Sequence, residues 1–221
     1  ILESAGHSIS TEYYINDAGN QMDNFYKSVY SKYLDRFDLP SNFPSDGYRG
    51  SYVNQLADNI VSSEGNRFIS IKDSEAISEV GQIAKEHMLD IIKTALETLN
   101  VTFDNWFSEK SLFTAGQFEK CIKILNDKGF VEKKDGATWL ISSELGEEKD
   151  NVLIRRTGAP TYFATDIAYH FNKFQERRFD RVIDIWGADH QGQVSRLKSA
   201  LAALGTNPDN LDMVLVQMVR F

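Results

Sequence analysis

Between Val182 and Leu204 the chain changes its hydrophobic period. Val182–Trp186 is a short run of apolar and β-branched residues closed by Gly187. That pattern predicts a strand buried on both faces of a parallel sheet. From Val194 the apolar positions fall at Val194, Leu197, Leu201 and Leu204, one face of a helix, with Gly205 where a C-cap prefers glycine. The stretch between them, Gly187–Gln193, is polar and holds Asp189, His190, Gln191 and Gln193. Ligands of open α/β sheets bind just outside the carboxyl ends of strands, so this loop is a candidate site.

The same reading extends along the chain. Glu12–Ile15 predicts a strand, Asn16–Gln21 a polar loop, and Met22, Phe25, Tyr26, Val29, Tyr30 and Tyr33 a helix capped by Asn16, Asp17 or Asn20. This second strand–loop–helix unit offers a second ligand-facing loop. Leu39–Gly50, with Pro40 and Pro44, reads as a linker. Helices are expected at Tyr52–Val61, at Ser74–Leu99 with a stripe from Ile77 to Leu99, and at Phe118–Asn126. His87 sits beside that stripe as a core or boundary histidine. Asp135-Gly136 predicts a hairpin turn between Phe130–Glu132 and Ala137–Ile141, with a further strand at Val152–Arg155. Thr161–Phe163 reads as a strand end, followed by a helix through Phe163, Ile167, Phe171 and Phe174. A strand at Met213–Val219 completes a βαβ unit. The fold class is therefore α/β, a Rossmann-like parallel sheet core interrupted by a mostly helical insertion that contains a small β-hairpin. Residues 1–44 and 151–221 are assigned to the incomplete core and 45–150 to the insertion.

Composition narrows this only a little. At 221 residues the chain can bury a sizeable core. No apolar run is long enough to span a bilayer. Ile1–Gly6 reads as the tail of a helix and the last residues as the end of a strand, so the chain is expected to be a fragment of a longer protein. The single cysteine, Cys121, excludes an internal disulfide and fits a reducing cytoplasm. It lies on an apolar stripe with Phe118, Ile122 and Leu125, which makes it a structural thiol. Four scattered histidines and one cysteine show no zinc-ligand spacing, so no structural metal is expected. A net charge of −8 counts against a broad nucleic-acid surface. Glu132, Glu144, Glu147 and Glu148 likewise give the hairpin region the wrong charge for phosphate.

Tyr162 and Asp166 are four apart, about one helical turn, and can face one pocket. A carboxylate there suits a guanidinium, whose planar fork donates two parallel hydrogen bonds. The same Asp166 could instead cap the following helix. Asp189 and His190 suit ribose hydroxyls or another polar ligand. By spacing alone Glu109 is an ordinary surface acid.

Several motifs together resemble bacterial-type arginyl-tRNA synthetase. They are T-E-Y-Y-I-N-D-A-G-N-Q (Thr11–Gln21), F-D-N-W-F-S-E-K-S-L-F (Phe103–Phe113), K-D-G-A-T-W-L (Lys134–Leu140), G-A-P-T-Y-F-A-T-D-I-A-Y-H (Gly158–His170) and I-W-G-A-D-H-Q-G-Q-V-S-R-L-K-S-A-L (Ile185–Leu201). The resemblance implies a class I synthetase that activates L-arginine with ATP and Mg²⁺ and passes it to tRNA(Arg), as a cytoplasmic monomer. It implies that Glu109, Tyr162, Asp166 and Asp189 bind arginine, and that Gly187, Asp189, His190 and Gln193 face ATP and its adenosine. The family's H-I-G-H signature is expected ahead of Ile1 and its K-M-S-K-S-type loop beyond Phe221, so these residues include no catalytic signature and are expected to be inactive by themselves. Arg155–Pro160, R-R-T-G-A-P, departs from the family's usual S-D-G-T-P. Two other readings remain open from the residues: another nucleotide-binding or adenylyl-transferring protein on a Rossmann-like core, and a non-catalytic tRNA-binding module built on the helices and hairpin.

Overall fold

Aromatic and aliphatic side chains recurring every three to four residues build the first hundred residues into helices around one core. The computed structural model describes residues 1–218, which divide into two compact units, one of Ile1–Phe107 and one starting at Ser108. The first unit runs through β1 (Glu12–Ile15), α1 (Asn20–Asp35), α2 (Ser51–Glu64) and α3 (Asp73–Thr98). Phe25, Val29, Tyr30 and Tyr33 of α1 pack with Val53, Leu56 and Ile60 of α2 and with Ala76, Val80 and Ala84 of α3. Tyr33 is fully buried, yet its hydroxyl donates to the Gly65 carbonyl at 2.8 Å and accepts from the Phe68 amide at 3.3 Å, so its polar tip is satisfied. At 26 residues, α3 is longer than α1 and α2, and its far end is uncovered: Ile91 and Leu99, on the predicted stripe, are exposed.

The helix α1 differs from expectation at its start. Gly19, at φ +81°, takes the cap position with no side-chain capping bond, and Asn20 is already helical. Asp17 is instead buried and paired with Lys85 of α3 at 3.0 Å. The strand β2 (Asn105–Ser108) pairs with β1, with Tyr13 stacked on Trp106 at 4.5 Å. Among the described residues β1 and β2 make a two-stranded sheet.

The second unit contains α4 (Lys110–Thr114), α5 (Gln117–Asp127), β3 (Val131–Lys134), β4 (Ala137–Leu140), β5 (Asn151–Ile154) and α6 (Tyr162–Phe171). A π-helical turn (Asn172–Glu176), β6 (Val182–Gly187), α7 (Val194–Leu204) and β7 (Leu211–Val216) follow. The hairpin β3–β4 turns on Asp135 and Gly136, both at positive φ, as its Asp-Gly pair predicts. β5 adds to it as a third antiparallel strand. Cys121 is fully buried on α5, and burial pushes its thiol up to about 12, which keeps it protonated and inert.

β6 and β7 form a parallel pair joined through α7, from Val182 opposite Leu211 to Gly187 opposite Val216. The architecture is α/β with a βαβ unit, as the pattern requires. The predicted end of β7 at Val219 lies outside the described residues. β6 is buried on one face rather than both: Val182 and Asp184 point inward, whereas Ile183 and Ile185 are exposed, Ile185 to 72%. Apart from Asp184 the strand is apolar on both faces, but among the described residues only one face has a cover. Thr161–Phe163 is also not a strand end: an isolated bridge pairs Ile154 with Pro160, and the helix begins at Tyr162.

A Cβ built on Gly81, inside α3, would lie 2.1 Å from the first ring atom of Tyr26 on α1. Gly81→Ala is expected to destabilise the protein by about 1–2 kcal/mol, because overpacking outweighs the gain in helix propensity. Denaturant unfolding checks this; an increase in stability would show that α1 and α3 separate at little cost.

Candidate functional site

The helix α6 is the spine of the second unit, with eight of its ten residues buried. Thr161 starts it: its Oγ1 accepts from the Ala164 amide at 3.2 Å and donates to the Val152 carbonyl at 2.8 Å. The cap is therefore Thr161 and not Asp166, which lies in the helix interior. An apolar helix would bury itself without direction, but α6 and the π-helical turn that continues it carry three polar residues on one face, Asp166, His170 and Lys173, spaced four and three apart.

The inner end of that face is closed by Asp184 of β6. His170 Nε2 lies 2.6 Å from Asp184 Oδ2, and Lys173 Nζ lies 2.6 Å from Asp184 Oδ1. His170 Nδ1 is 2.7 Å from the Asp166 carbonyl oxygen. Each ring nitrogen thus meets an acceptor, and both can donate only in the imidazolium form. The Lys173 ammonium also stands 4.0 Å from the centre of the Tyr169 ring. Burial alone would raise the Asp184 carboxyl, but the hydrogen bond and charge of His170 and the charge of Lys173 outweigh it and hold the group well below the usual range. The π-helical turn begins at Asn172, so Lys173 reaches Asp184 from a locally widened helix, a feature that often marks functional sites.

The outer end of the same face carries Asp166. Asp166 is pushed up to about 7, first by burial, then by the negative charges of Glu109 and Asp184, against a weaker pull from Lys173 and Arg196. Glu109 directly precedes α4 and is only 5% exposed, so it is no surface acid. Its neighbours Leu112 and Phe118 are buried in the core, which draws this segment inward. Tyr162, at the start of α6, is 60% exposed, which leaves its ring available to a ligand. Two largely buried carboxylates, with an aromatic ring on the helix that bears Asp166, make a candidate cation-binding site.

The loop beyond β6 is a turn of 3-10 helix, Ala188–Gln193, at the carboxyl end of the strand. Asp189 and His190 are exposed there. Gln193 Nε2 lies 3.1 Å from His190 Nδ1, and Asp189 Oδ2 is 3.6 Å from His190 Nε2. A Cβ on Gly187 would fall 2.4 Å from Asp189 Oδ1, so glycine lets the Asp189 side chain fold back over the strand end. The Trp186 ring links the two levels: its centroid is 5.8 Å from that of His190 and 6.5 Å from that of the buried His170.

Sequence reasoning thus singled out Glu109, Tyr162, Asp166, Gly187, Asp189, His190 and Gln193 but missed His170, Lys173 and Asp184. A signal existed. Asp184 is a lone charge inside V-I-D-I-W, and His170 and Lys173 continue the polar spacing of Asp166 along a helix that is otherwise apolar.

The chain matches the family model described as tRNA synthetases class I (R), catalytic domain, over residues 1–218. It is 52% identical over its full length to an arginine–tRNA ligase of Carboxydothermus hydrogenoformans, of which it covers 39%. It is 46% identical over 99% of its length to an arginine–tRNA ligase of Dehalococcoides mccartyi, again covering 39% of that protein. A crystal structure described as that of an arginyl-tRNA synthetase from Campylobacter jejuni superposes with a TM-score of 0.86 at 34% identity, over 98% of this chain and 47% of that one. The chain thus spans well under half the length of the curated relatives it matches.

Asp184→Asn leaves the buried Lys173 ammonium without its counter-charge and is expected to cost about 3–5 kcal/mol of folding stability in chemical denaturation. Asp166 should behave in the opposite sense. Its carboxyl titrates at 3.8 unfolded and about 7 folded, so its stabilising contribution is full below 3.8 and is lost as pH rises through about 7. Asp166→Asn should therefore be more stable than the parent at pH 8, by about 1–2 kcal/mol after discounting for solvent screening, with the gap closing toward pH 4. Melting curves across that range check it; a gap independent of pH would mean that Asp166 is already ionised in the folded protein.

Proposed function

The chain belongs to the catalytic-domain family of class I tRNA synthetases of the arginine type, and on that premise we propose that the protein it forms part of ligates L-arginine to tRNA(Arg) through an arginyl-adenylate made from ATP. The observation that carries this reading is the pair Glu109 and Asp166, two largely buried acids close enough that the Glu109 charge adds to burial in raising the Asp166 carboxyl. A guanidinium answers both, since its five donors lie in a fixed planar fork. Tyr162, exposed on the same helix, supplies a face for that plane.

Specificity follows from the same pair. Lysine presents a compact ammonium and cannot serve two forks at once. Citrulline has the shape of arginine but is neutral, so it would leave a desolvated carboxylate unpaired. When the guanidinium enters, its charge favours ionised Asp166, and the proton held there leaves. Asp189 is assigned to the α-amino end of arginine, and Gly187, His190 and Gln193 to the adenosine side of ATP, since the loop stands at the carboxyl end of a parallel strand. ATP arrives as its Mg²⁺ complex. The reaction is attack of the arginine carboxylate on the α-phosphate with loss of pyrophosphate, followed by transfer to the terminal ribose of the tRNA. The contribution proposed for these residues is to hold the arginine and the adenosine in line for that attack.

Residues 1–44 and 151–221 are proposed as the core of the catalytic domain and 45–150 as the connective insertion, although the compact units of the described residues divide at 107/108. No helix among the described residues is long and apolar enough to cross a membrane. A monomer in the cytoplasm is the setting proposed for the whole protein.

The test is arginine charging by the full-length protein with matched tRNA and ATP; failure of a folded preparation to form arginyl-tRNA would sink the reading. Asp166→Asn is expected to raise the KM for arginine by roughly 100-fold, the loss of one charged hydrogen-bond partner, while the KM for ATP stays within about threefold. Arginine binding near pH 7 should also release part of a proton from Asp166, so the calorimetric enthalpy should vary with the ionisation enthalpy of the buffer. An enthalpy independent of buffer would mean that Asp166 carries no proton to lose.

A further inference from the structure

The hairpin sheet β3–β4–β5 carries a feature that composition conceals. Glu132 and Lys133 lie on different sides of the sheet. Along β3, Glu132 and Lys133 point to opposite faces, as consecutive strand residues must. Glu132 pairs with Trp139 and Lys133 with Thr138, which in turn pairs with Ile154. Glu147 is occupied elsewhere: its Oε1 accepts from the hydroxyls of Ser195 at 2.7 Å and Ser199 at 2.9 Å on α7. On the Lys133 face a shallow cleft of about 270 Å³ is lined by Lys133, Thr138, Arg155 and Arg156 and by the backbone of Gly136 and Gly158, with no carboxylate among its lining residues.

The loop that supplies the two arginines is held in shape from both ends. The Arg155 amide donates to the Ala159 carbonyl at 2.8 Å and the Gly158 amide to the Arg155 carbonyl at 2.9 Å, while Ile154 bridges to Pro160. Gly136, at φ +76°, lies under the stem of Arg156, 3.3 Å from where its own Cβ would stand. Both guanidiniums are exposed, and neither has a carboxylate partner among the described residues. The same arginines line a second cleft of about 470 Å³, beside Trp139 and Asp135. Thr161, directly after the loop, caps the helix that bears Tyr162 and Asp166.

We infer that the Lys133–Arg155–Arg156 cleft is a binding site for the phosphodiester backbone of a nucleic-acid strand. Three cations, a hydroxyl and glycine backbone around a shallow groove match the way phosphates are held without base reading. Trp139, which pairs with Glu132 on the other face, lines the second cleft with the same two arginines and offers a ring on which an unpaired base can stack. The inference rests on the reading of the protein as a tRNA ligase, which supplies the strand. It places part of the tRNA contact on the loop that leads into the proposed arginine site.

The experiment is equilibrium binding of arginine-accepting tRNA to the full-length protein over a salt series, with Arg155→Ala/Arg156→Ala and Lys133→Gln. The double variant should bind about tenfold more weakly or worse, and its slope of log affinity against log salt should be shallower by about two; Lys133→Gln should lose about one. Arg155→Lys/Arg156→Lys should regain the slope, and the KM for arginine should not change in any variant. Unchanged affinity and slope in the double variant would overturn the inference. So would variants that lose inorganic phosphate binding yet hold tRNA as the parent does, which would make the cleft a small-anion site. Because tRNA binding is read without catalysis, a protein that binds tRNA through these residues but forms no arginyl-tRNA would refute the ligase reading alone.

Discussion

A single buried carboxylate, Asp184, sets the terms on which the second unit packs. It stands in the middle of an apolar strand, where an uncompensated charge costs several kcal/mol. The compensation comes entirely from α6 and its π-helical continuation, through His170 and Lys173, both at 2.6 Å. Those bonds fix the rotation of a helix that has too many apolar residues to choose a face by hydrophobicity alone, since Phe163, Ile167, Ala168 and Phe171 are all buried. Once the helix is turned so that His170 and Lys173 reach β6, Asp166 one turn earlier is committed to the same face. The position of the candidate site is thus a consequence of how a charge beneath it is neutralised.

The two ends of that polar face treat charge in opposite ways. At the inner end a carboxylate meets His170 and the Lys173 ammonium and is driven toward the ionised form. At the outer end Asp166 meets another carboxylate and is driven toward the neutral form, up to about 7. Stability argues for the first arrangement and against the second, because burial first, and then the Glu109 charge, disfavours the ionised form of Asp166. Such locally unfavourable electrostatics persist where a ligand relieves them. The inner ion pair supplies rigidity, and in the proposed function the outer pair supplies the affinity that rigidity makes selective.

Much of this was legible in the sequence, and what was not shares one cause. Periodicity, with turn residues, located α1, α2, α3, α5, α7 and the turn of the hairpin, because each is decided by local spacing or by a specific turn chemistry. It missed α4 and the true start of α6, where Thr161 caps a helix that the apolar pattern shifts by a residue. It read β6 as buried on both faces, since composition records what a strand could bury and not what covers it. Among site residues, Glu109 could not be placed inside by spacing, because its burial depends on where Leu112 and Phe118 pack. The network of His170, Lys173 and Asp184 is formed across 11 and 14 residues of sequence, beyond the reach of any helical or strand period.

Charge shows the same limit most clearly. A net charge of −8 and a glutamate-rich hairpin region argue against nucleic acid when charges are summed. Electrostatic interactions between exposed groups fade over about 8 Å at physiological salt, so a phosphate responds to the few side chains beside it and not to the sum. Strand alternation separates Glu132 from Lys133, serine hydroxyls engage Glu147, and a closed loop brings Arg155 and Arg156 to Lys133. The sign of the field at that groove is thus fixed by pairing register and loop closure, which a charge count does not contain.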